Sequence, residues 1–169
     1  MNLGQLFLAG FDGIEVDKNH SIVKAIVHDG LGGVILFDRN VDGTRQNITS
    51  PAQLRKLTAE LQQYGKNSLL IAVDQEGGKV CRLKEADGFP STESAARLAA
   101  EGNCENVREQ AMFMATSLRE SGINFNLAPV DDLNLNQENP IIARYERSYS
   151  ADSDTVVRCA SQFITAHHA

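Results

Sequence analysis

One short stretch of the chain carries an acidic residue, two glycines and two basic residues in close succession: Asp74, Gly77, Gly78, Lys79 and Arg82. A carboxylate accepts hydrogen bonds from two neighbouring hydroxyl groups, and a guanidinium donates several in a fixed fork. Paired glycines allow the backbone to turn sharply or to approach a ligand closely. The same string is also typical of a strand that ends in a solvated turn, so the residue types alone leave both interpretations open.

The element that must position this stretch is the segment before it, from Leu69 to Val73. It is apolar without alternation, which is typical of a strand covered on both faces in a parallel sheet. Such a strand gains nothing from ending in an acidic residue unless the carboxylate works at its tip. We therefore expect Asp74 to be functional.

Strands and helices alternate along the rest of the chain, which predicts parallel βαβ units. This pattern is consistent with an open doubly wound sheet or with part of a (β/α)₈ barrel, and it does not separate the two. The predicted strands are residues 6–11, 33–37, 69–73 and 123–130, and the predicted helices are residues 19–29, 51–64, 91–100, 103–121 and 152 onward.

Composition and charge argue against some classes of binding partner. The chain has 169 residues, enough for one domain, and a net charge of −6, which argues against nucleic acid or an anionic membrane as partner. The N-terminus has no evident signal peptide and no apolar run approaches membrane-spanning length, so we expect a cytoplasmic location. The odd, widely spaced cysteines Cys81, Cys104 and Cys159 favour reduced thiols over a disulfide framework.

Five segments, in the same order, resemble motifs of glycoside hydrolase family 3, in the branch of bacterial β-N-acetylhexosaminidases. The most diagnostic segment runs from Asp74 to Leu83 and reads DQEGGKVCRL. The others lie at residues 4–11, 32–37, 122–134 and 139–149. The resemblance covers essentially the whole chain and implies the N-terminal half, about four βα units, of a TIM (β/α)₈ barrel.

The resemblance also implies roles for individual residues. Asp74 and Arg82 match positions that bind hydroxyl groups of the sugar in the −1 subsite, and Arg147 matches a third sugar-binding position, with Arg144 as the rival placement. Asp132 matches an acidic residue that we expect to organise its loop rather than to contact sugar.

The paired residues Gly77 and Gly78 would support the same site. Lys79 departs from the arginine that many members carry, which keeps the charge but loses the planar fork.

The implied activity is removal of terminal β-linked N-acetylglucosamine with retention of configuration, on muropeptides during peptidoglycan recycling, without metal or organic cofactor. Asp74 and Glu76 would approach a sugar from the same side and are not expected to form a retaining pair. The resemblance places the nucleophile and the acid/base beyond Ala169. Residues 1–169 are therefore expected to be an incomplete barrel that ends before the fifth strand and is inactive alone.

Two alternatives remain at this point: a β-glucosidase-type specificity in the same family, and a non-catalytic sugar-binding remnant. The half-barrel would also leave edge strands unpaired, which favours a homodimer.

Overall fold

The computed structural model of the chain describes residues 2–66, 68–100 and 103–169. The strands are β1 (Leu8–Gly10), β2 (Gly33–Leu36), β3 (Leu70–Val73), β4 (Gln75–Gly77), β5 (Val80–Cys81) and β6 (Phe125–Asn126). The helices are α1 (Ser21–His28), α2 (Pro51–Tyr64), α3 (Ala95–Leu98), α4 (Glu105–Glu120) and α5 (Ser153–His167), with 3₁₀ turns at Leu3–Leu6 and Glu85–Asp87. In the part of the chain thus described, no helix combines the length and apolarity needed to cross a membrane.

The chain divides into two compact units. Unit 1 comprises Met1–Val73, Arg82–Phe89 and Leu118–Asn126, and unit 2 comprises Asp74–Cys81, Pro90–Ser117 and Leu127–Ala169.

Unit 1 is built on a parallel sheet with the strand order β1-β2-β3-β6. The side chains of Val34, Leu36, Ile71 and Val73 are completely buried, as the apolar runs predict for inner strands of a parallel sheet. The α/β class with parallel strands is confirmed.

Helix α2 begins and ends where its sequence signals predict. The Ser50 hydroxyl accepts a hydrogen bond from the Gln53 N–H at 3.2 Å, Pro51 occupies the first turn, and Gly65 follows the last residue. Its apolar residues Leu54, Leu57 and Leu61 are buried. The helix therefore packs one face into the core of unit 1.

The predicted fourth strand is much shorter in the structure. Residues 123–130 were expected to be extended in the sheet, but only Phe125–Asn126 form the ladder. The Asn124 side chain replaces one rung, because its Oδ1 accepts from the Ile71 N–H at 2.7 Å and its Nδ2 donates to the Leu69 carbonyl at 3.0 Å. Pro129, which has no N–H, cannot extend the ladder further.

The charged residues and glycines after β3 fold as a tight antiparallel hairpin, β4–β5, that the sequence did not predict. Its turn requires glycine twice, because φ is +100° at Gly77 and +58° at Gly78. Added Cβ atoms would lie 2.2 Å from the Glu93 carbonyl oxygen and 2.7 Å from the Ser94 Cβ, respectively. The close approach at these glycines is thus to the protein's own chain within unit 2.

The prediction of reduced thiols is wrong for two of the three cysteines. Cys104, just before α4, forms a disulfide with Cys159 of α5. No spacing in the sequence predicts this pair, since 55 residues separate its members. The third cysteine, Cys81, is buried in the hairpin.

We expect the disulfide to contribute about 4 kcal/mol to the free energy of unfolding, because it closes a loop of 55 residues in the unfolded chain. Urea unfolding with and without reductant measures this difference. The control is the Cys104→Ala/Cys159→Ala double variant, whose unfolding should not respond to reductant. An equal response of both proteins would contradict the structural assignment.

We also expect Gly77→Ala to lower the free energy of unfolding more than Gly43→Ala does. Gly43 also has a positive φ, +86°, but nothing lies within 4 Å of its added Cβ, so this control measures the conformational penalty alone, about 1–2 kcal/mol. The clash at Gly77 should add about 1–3 kcal/mol. Equal losses in urea unfolding would show that the hairpin tolerates a side chain there.

Candidate functional site

The side chains of β4 alternate between the two faces of the hairpin. Gln75 is buried, and its Nε2 donates to the Cys81 Sγ at 3.1 Å across the hairpin. Because successive side chains of a strand point to opposite faces, Glu76 lies on the other face from Gln75. The hairpin is thus anchored on one face and presents a carboxylate on the other.

That carboxylate forms a two-pronged ion pair with Arg147. The Arg147 Nε donates to Oε2 of Glu76 at 2.8 Å, and Nη2 donates to Oε1 at 2.7 Å. The side chains are only 8% exposed for Glu76 and 23% exposed for Arg147. Charge-assisted forks of this kind are among the strongest and most directional hydrogen bonds in proteins.

The pKa of Arg147 responds to the charged residues around it. The hydrogen bond to Glu76 is the largest cause that raises the pKa of Arg147; burial opposes it, and the charges of Glu76, Asp74 and Asp132 add to the rise. The structure therefore brings the predicted site residues Asp74, Asp132 and Arg147 into one charged cluster in unit 2. Asp74 has further interactions of its own in this structure.

Two more residues belong to the same surroundings. Burial, and then the charge of Asp132, raises the pKa of Asp131. Burial is also the main cause that raises the pKa of the Tyr149 phenol, followed by the charges of Asp131 and Glu76. A cluster that combines carboxylates with a guanidinium offers both acceptors and donors of hydrogen bonds, which suits a neutral polyhydroxylated ligand.

The loop that carries Asp132 is held by its backbone. The single proton of the Ser148 hydroxyl is shared between the Asp132 carbonyl at 2.5 Å and the Ser150 carbonyl at 3.0 Å. The N–H of Asn134 donates to the Ser150 carbonyl at 2.9 Å. The main chain of Asp132 thus ties two loops together, while its carboxylate contributes charge near Arg147.

The two arginines considered for the third sugar-binding position have different surroundings. Arg147 pairs with Glu76, whereas Arg144 offers its main-chain carbonyl to the Lys79 amine at 2.9 Å. Lys79 also lies 5.9 Å from the centre of the Tyr145 ring. Lys79 therefore braces the loop that leads to Arg147.

Arg82 belongs to unit 1 and has its own setting there. Its guanidinium carbon lies 5.4 Å from the centre of the Phe37 ring, and its Nη1 lies 4.0 Å from Oδ1 of Asp38. Asp38 is buried and accepts a hydrogen bond from the Lys84 amine at 2.5 Å. Because Asp74 belongs to unit 2, convergence of Asp74 and Arg82 on one sugar ring stays a prediction.

Sequence reasoning missed two carboxylates, Asp38 and Glu76, that hold the candidate arginines. A signal for Asp38 was present, since it follows the apolar strand β2 much as Asp74 follows β3. Glu76 lay inside the diagnostic motif, but nothing in its spacing predicted a partner 71 positions away. Among the described residues, no group of three or more His, Cys, Asp or Glu side chains could hold a metal ion.

Comparison with known proteins identifies the family of this chain. The family described as "Glycosyl hydrolase family 3 N terminal domain" matches residues 2–169. A "Beta-hexosaminidase" of Pseudomonas aeruginosa (strain LESB58) is 34% identical over 143 residues, which cover 84% of this chain and 39% of that protein. The chain thus spans about two fifths of the length of that curated relative.

Solved structures give the same result. A glycoside hydrolase family 3 β-N-acetylglucosaminidase from Paenibacillus sp. str. FPU-7 superimposes with a TM-score of 0.87 at 37% identity, covering 99% of this chain and 30% of that one. A β-N-acetylhexosaminidase from Beutenbergia cavernae gives 0.76 at 31% identity, covering 99% of this chain and 49% of that one. The chain belongs to glycoside hydrolase family 3, and its sequence corresponds to that family's N-terminal domain.

Proposed function

We propose that this chain binds a terminal β-linked N-acetylglucosamine residue, as the sugar-binding part of a family 3 β-N-acetylhexosaminidase. Asp74 would accept hydrogen bonds from two sugar hydroxyl groups, and Arg147 would donate to a neighbouring oxygen. A sugar contact of Arg82 is implied by the family resemblance alone. The observation that carries the proposal is the cluster of Asp74, Glu76 and Arg147 directly after β3, in a chain that belongs to this family.

The choice of sugar rests on the relatives. The curated relative from Pseudomonas aeruginosa is named a beta-hexosaminidase, and the structure from Paenibacillus is titled a β-N-acetylglucosaminidase. These names favour N-acetylglucosamine over glucose for this chain and argue against the β-glucosidase alternative. The muropeptide as natural substrate rests on the resemblance to the peptidoglycan-recycling branch.

Binding without turnover is the expected behaviour of the 169 residues alone. Retaining glycosidases use two carboxyl groups that flank the scissile bond. Both oxygens of Glu76 are engaged by Arg147, so this carboxylate is poorly suited to act as nucleophile or acid. The resemblance assigns those roles to an aspartate and a histidine in the part of the family barrel that follows these residues.

We also propose the half-barrel architecture. Exposed apolar side chains on one face of the sheet in unit 1 support it. Leu8 pairs in register with Gly33, and Gly33 pairs with Leu70, so the two leucines flank a glycine on one face. Both leucines are exposed. Further barrel strands would cover this face in the longer relatives, and a second copy would cover it in a homodimer, which light scattering detects as twice 18.4 kDa.

The predicted cytoplasmic location meets one contrary observation, the Cys104–Cys159 disulfide. Thiols in the cytosol of most mesophiles stay reduced, whereas disulfides persist in oxidising compartments. Thiol labelling of the protein in intact host cells would distinguish the two. Labelling of both cysteines would support the cytoplasm and peptidoglycan recycling there.

The proposed function predicts that N-acetylglucosamine binds to the purified chain in a calorimetric or NMR titration, and that Asp74→Asn weakens binding at least about tenfold. The loss follows because hydrogen bonds to a charged acceptor contribute about 1.5–3 kcal/mol. Asp154→Asn, which makes the same charge change at an exposed position of α5, is the control and should leave binding unchanged.

Three outcomes would contradict the proposal in different ways. Absence of N-acetylglucosamine binding would remove its basis. Equal affinity for glucose would favour the β-glucosidase alternative. Hydrolysis of a chromogenic N-acetylglucosaminide by the 169 residues, lost in Asp74→Asn, would show that the chain carries its own catalytic groups.

A further inference from the structure

We propose that Glu76 is the positioning residue for Arg147: it fixes the guanidinium so that Nη1 faces the sugar. This inference rests on the proposed function of the site. It assigns Glu76 a role that acts through Arg147 rather than through contact with the ligand.

The first argument is geometric. A guanidinium has five N–H donors in one plane, and the fork to Glu76 uses the edge formed by Nε and Nη2. Two hydrogen bonds along one edge fix the plane as well as the position of the group. Nη1 lies outside this fork. Arg147 can therefore offer the N–H groups of Nη1 to a ligand in a fixed direction.

The second argument is that Glu76 is itself held in place. It occupies the middle of β4, between Gln75, which is anchored to Cys81, and Gly77, whose backbone conformation closes the turn. A carboxylate on such a braced strand loses little further freedom when it engages Arg147. The hairpin therefore fixes the Glu76 carboxylate and, through it, the Arg147 guanidinium.

A double-variant cycle tests the inference, with the affinity for N-acetylglucosamine as the measured quantity. We expect Glu76→Gln and Arg147→Met each to weaken binding about tenfold or more. If Glu76 acts through Arg147, adding Glu76→Gln to Arg147→Met should cause no further loss, because coupled residues are not additive. Glu105→Gln, which breaks an exposed pair with Arg108 in α4, is the matched control and should leave affinity unchanged.

A second variant addresses loss of the fold. Glu76→Asp keeps the charge but is one methylene shorter, so it cannot reach both nitrogens from the same backbone position. We expect it to weaken binding nearly as much as Glu76→Gln while the melting temperature stays closer to that of the unaltered protein.

The outcomes separate this inference from the proposed function. If the unaltered chain binds N-acetylglucosamine but Glu76→Gln has no effect, or if the losses from Glu76→Gln and Arg147→Met multiply in the double variant, the positioning role is overturned and the proposed function stands. If the unaltered chain binds no sugar, the proposed function fails and the inference fails with it.

Discussion

The fork between Glu76 and Arg147 is the interaction on which the candidate site depends. It joins two parts of unit 2 that lie 71 positions apart in the chain, the hairpin after β3 and the loop before α5. The hairpin is short and the loop contains little regular structure, so the fork adds a direct link between two segments that are otherwise held by their own local contacts. Two opposite charges, each largely removed from water, hold the site together because each satisfies the other's hydrogen bonds.

The other charged residues of the site act on this ion pair through their electric charge. Glu76 pairs with Arg147, and the charges of Asp74 and Asp132 act on the same guanidinium. A site that holds carboxylates beside a guanidinium suits hydroxyl groups, which both donate and accept hydrogen bonds. In unit 1, the buried carboxylate of Asp38 lies beside Arg82 and accepts a hydrogen bond from Lys84.

The sequence predicts the elements of unit 1 well where local signals are strong. Ser50, Pro51 and Gly65 mark the ends of α2 because capping is a local interaction. The inner strands are recognised by continuous apolar runs. The fourth strand was overestimated because at its start the Asn124 side chain, beside the Asn124 N–H, takes part in the pairing with the neighbouring strand.

Long-range pairings explain what could not be predicted. The Cys104–Cys159 disulfide and the Glu76–Arg147 fork each depend on how distant segments pack, and no spacing in the sequence reports this. The resemblance to the family identified Asp74, Arg82 and Arg147 as candidates, but it did not indicate that each arginine has a carboxylate beside it. Residues that act through another residue carry weaker sequence signals than residues that contact ligand.

A crystal structure with N-acetylglucosamine bound tests the central claim most directly. The account predicts that the fork between Glu76 and Arg147 remains intact at 2.7–2.8 Å, as in the unliganded chain, with Asp74 and Nη1 of Arg147 both within hydrogen-bond distance of the same sugar ring. A sugar bound away from Asp74, or an Arg147 that leaves Glu76 to pair with Asp74, would contradict it.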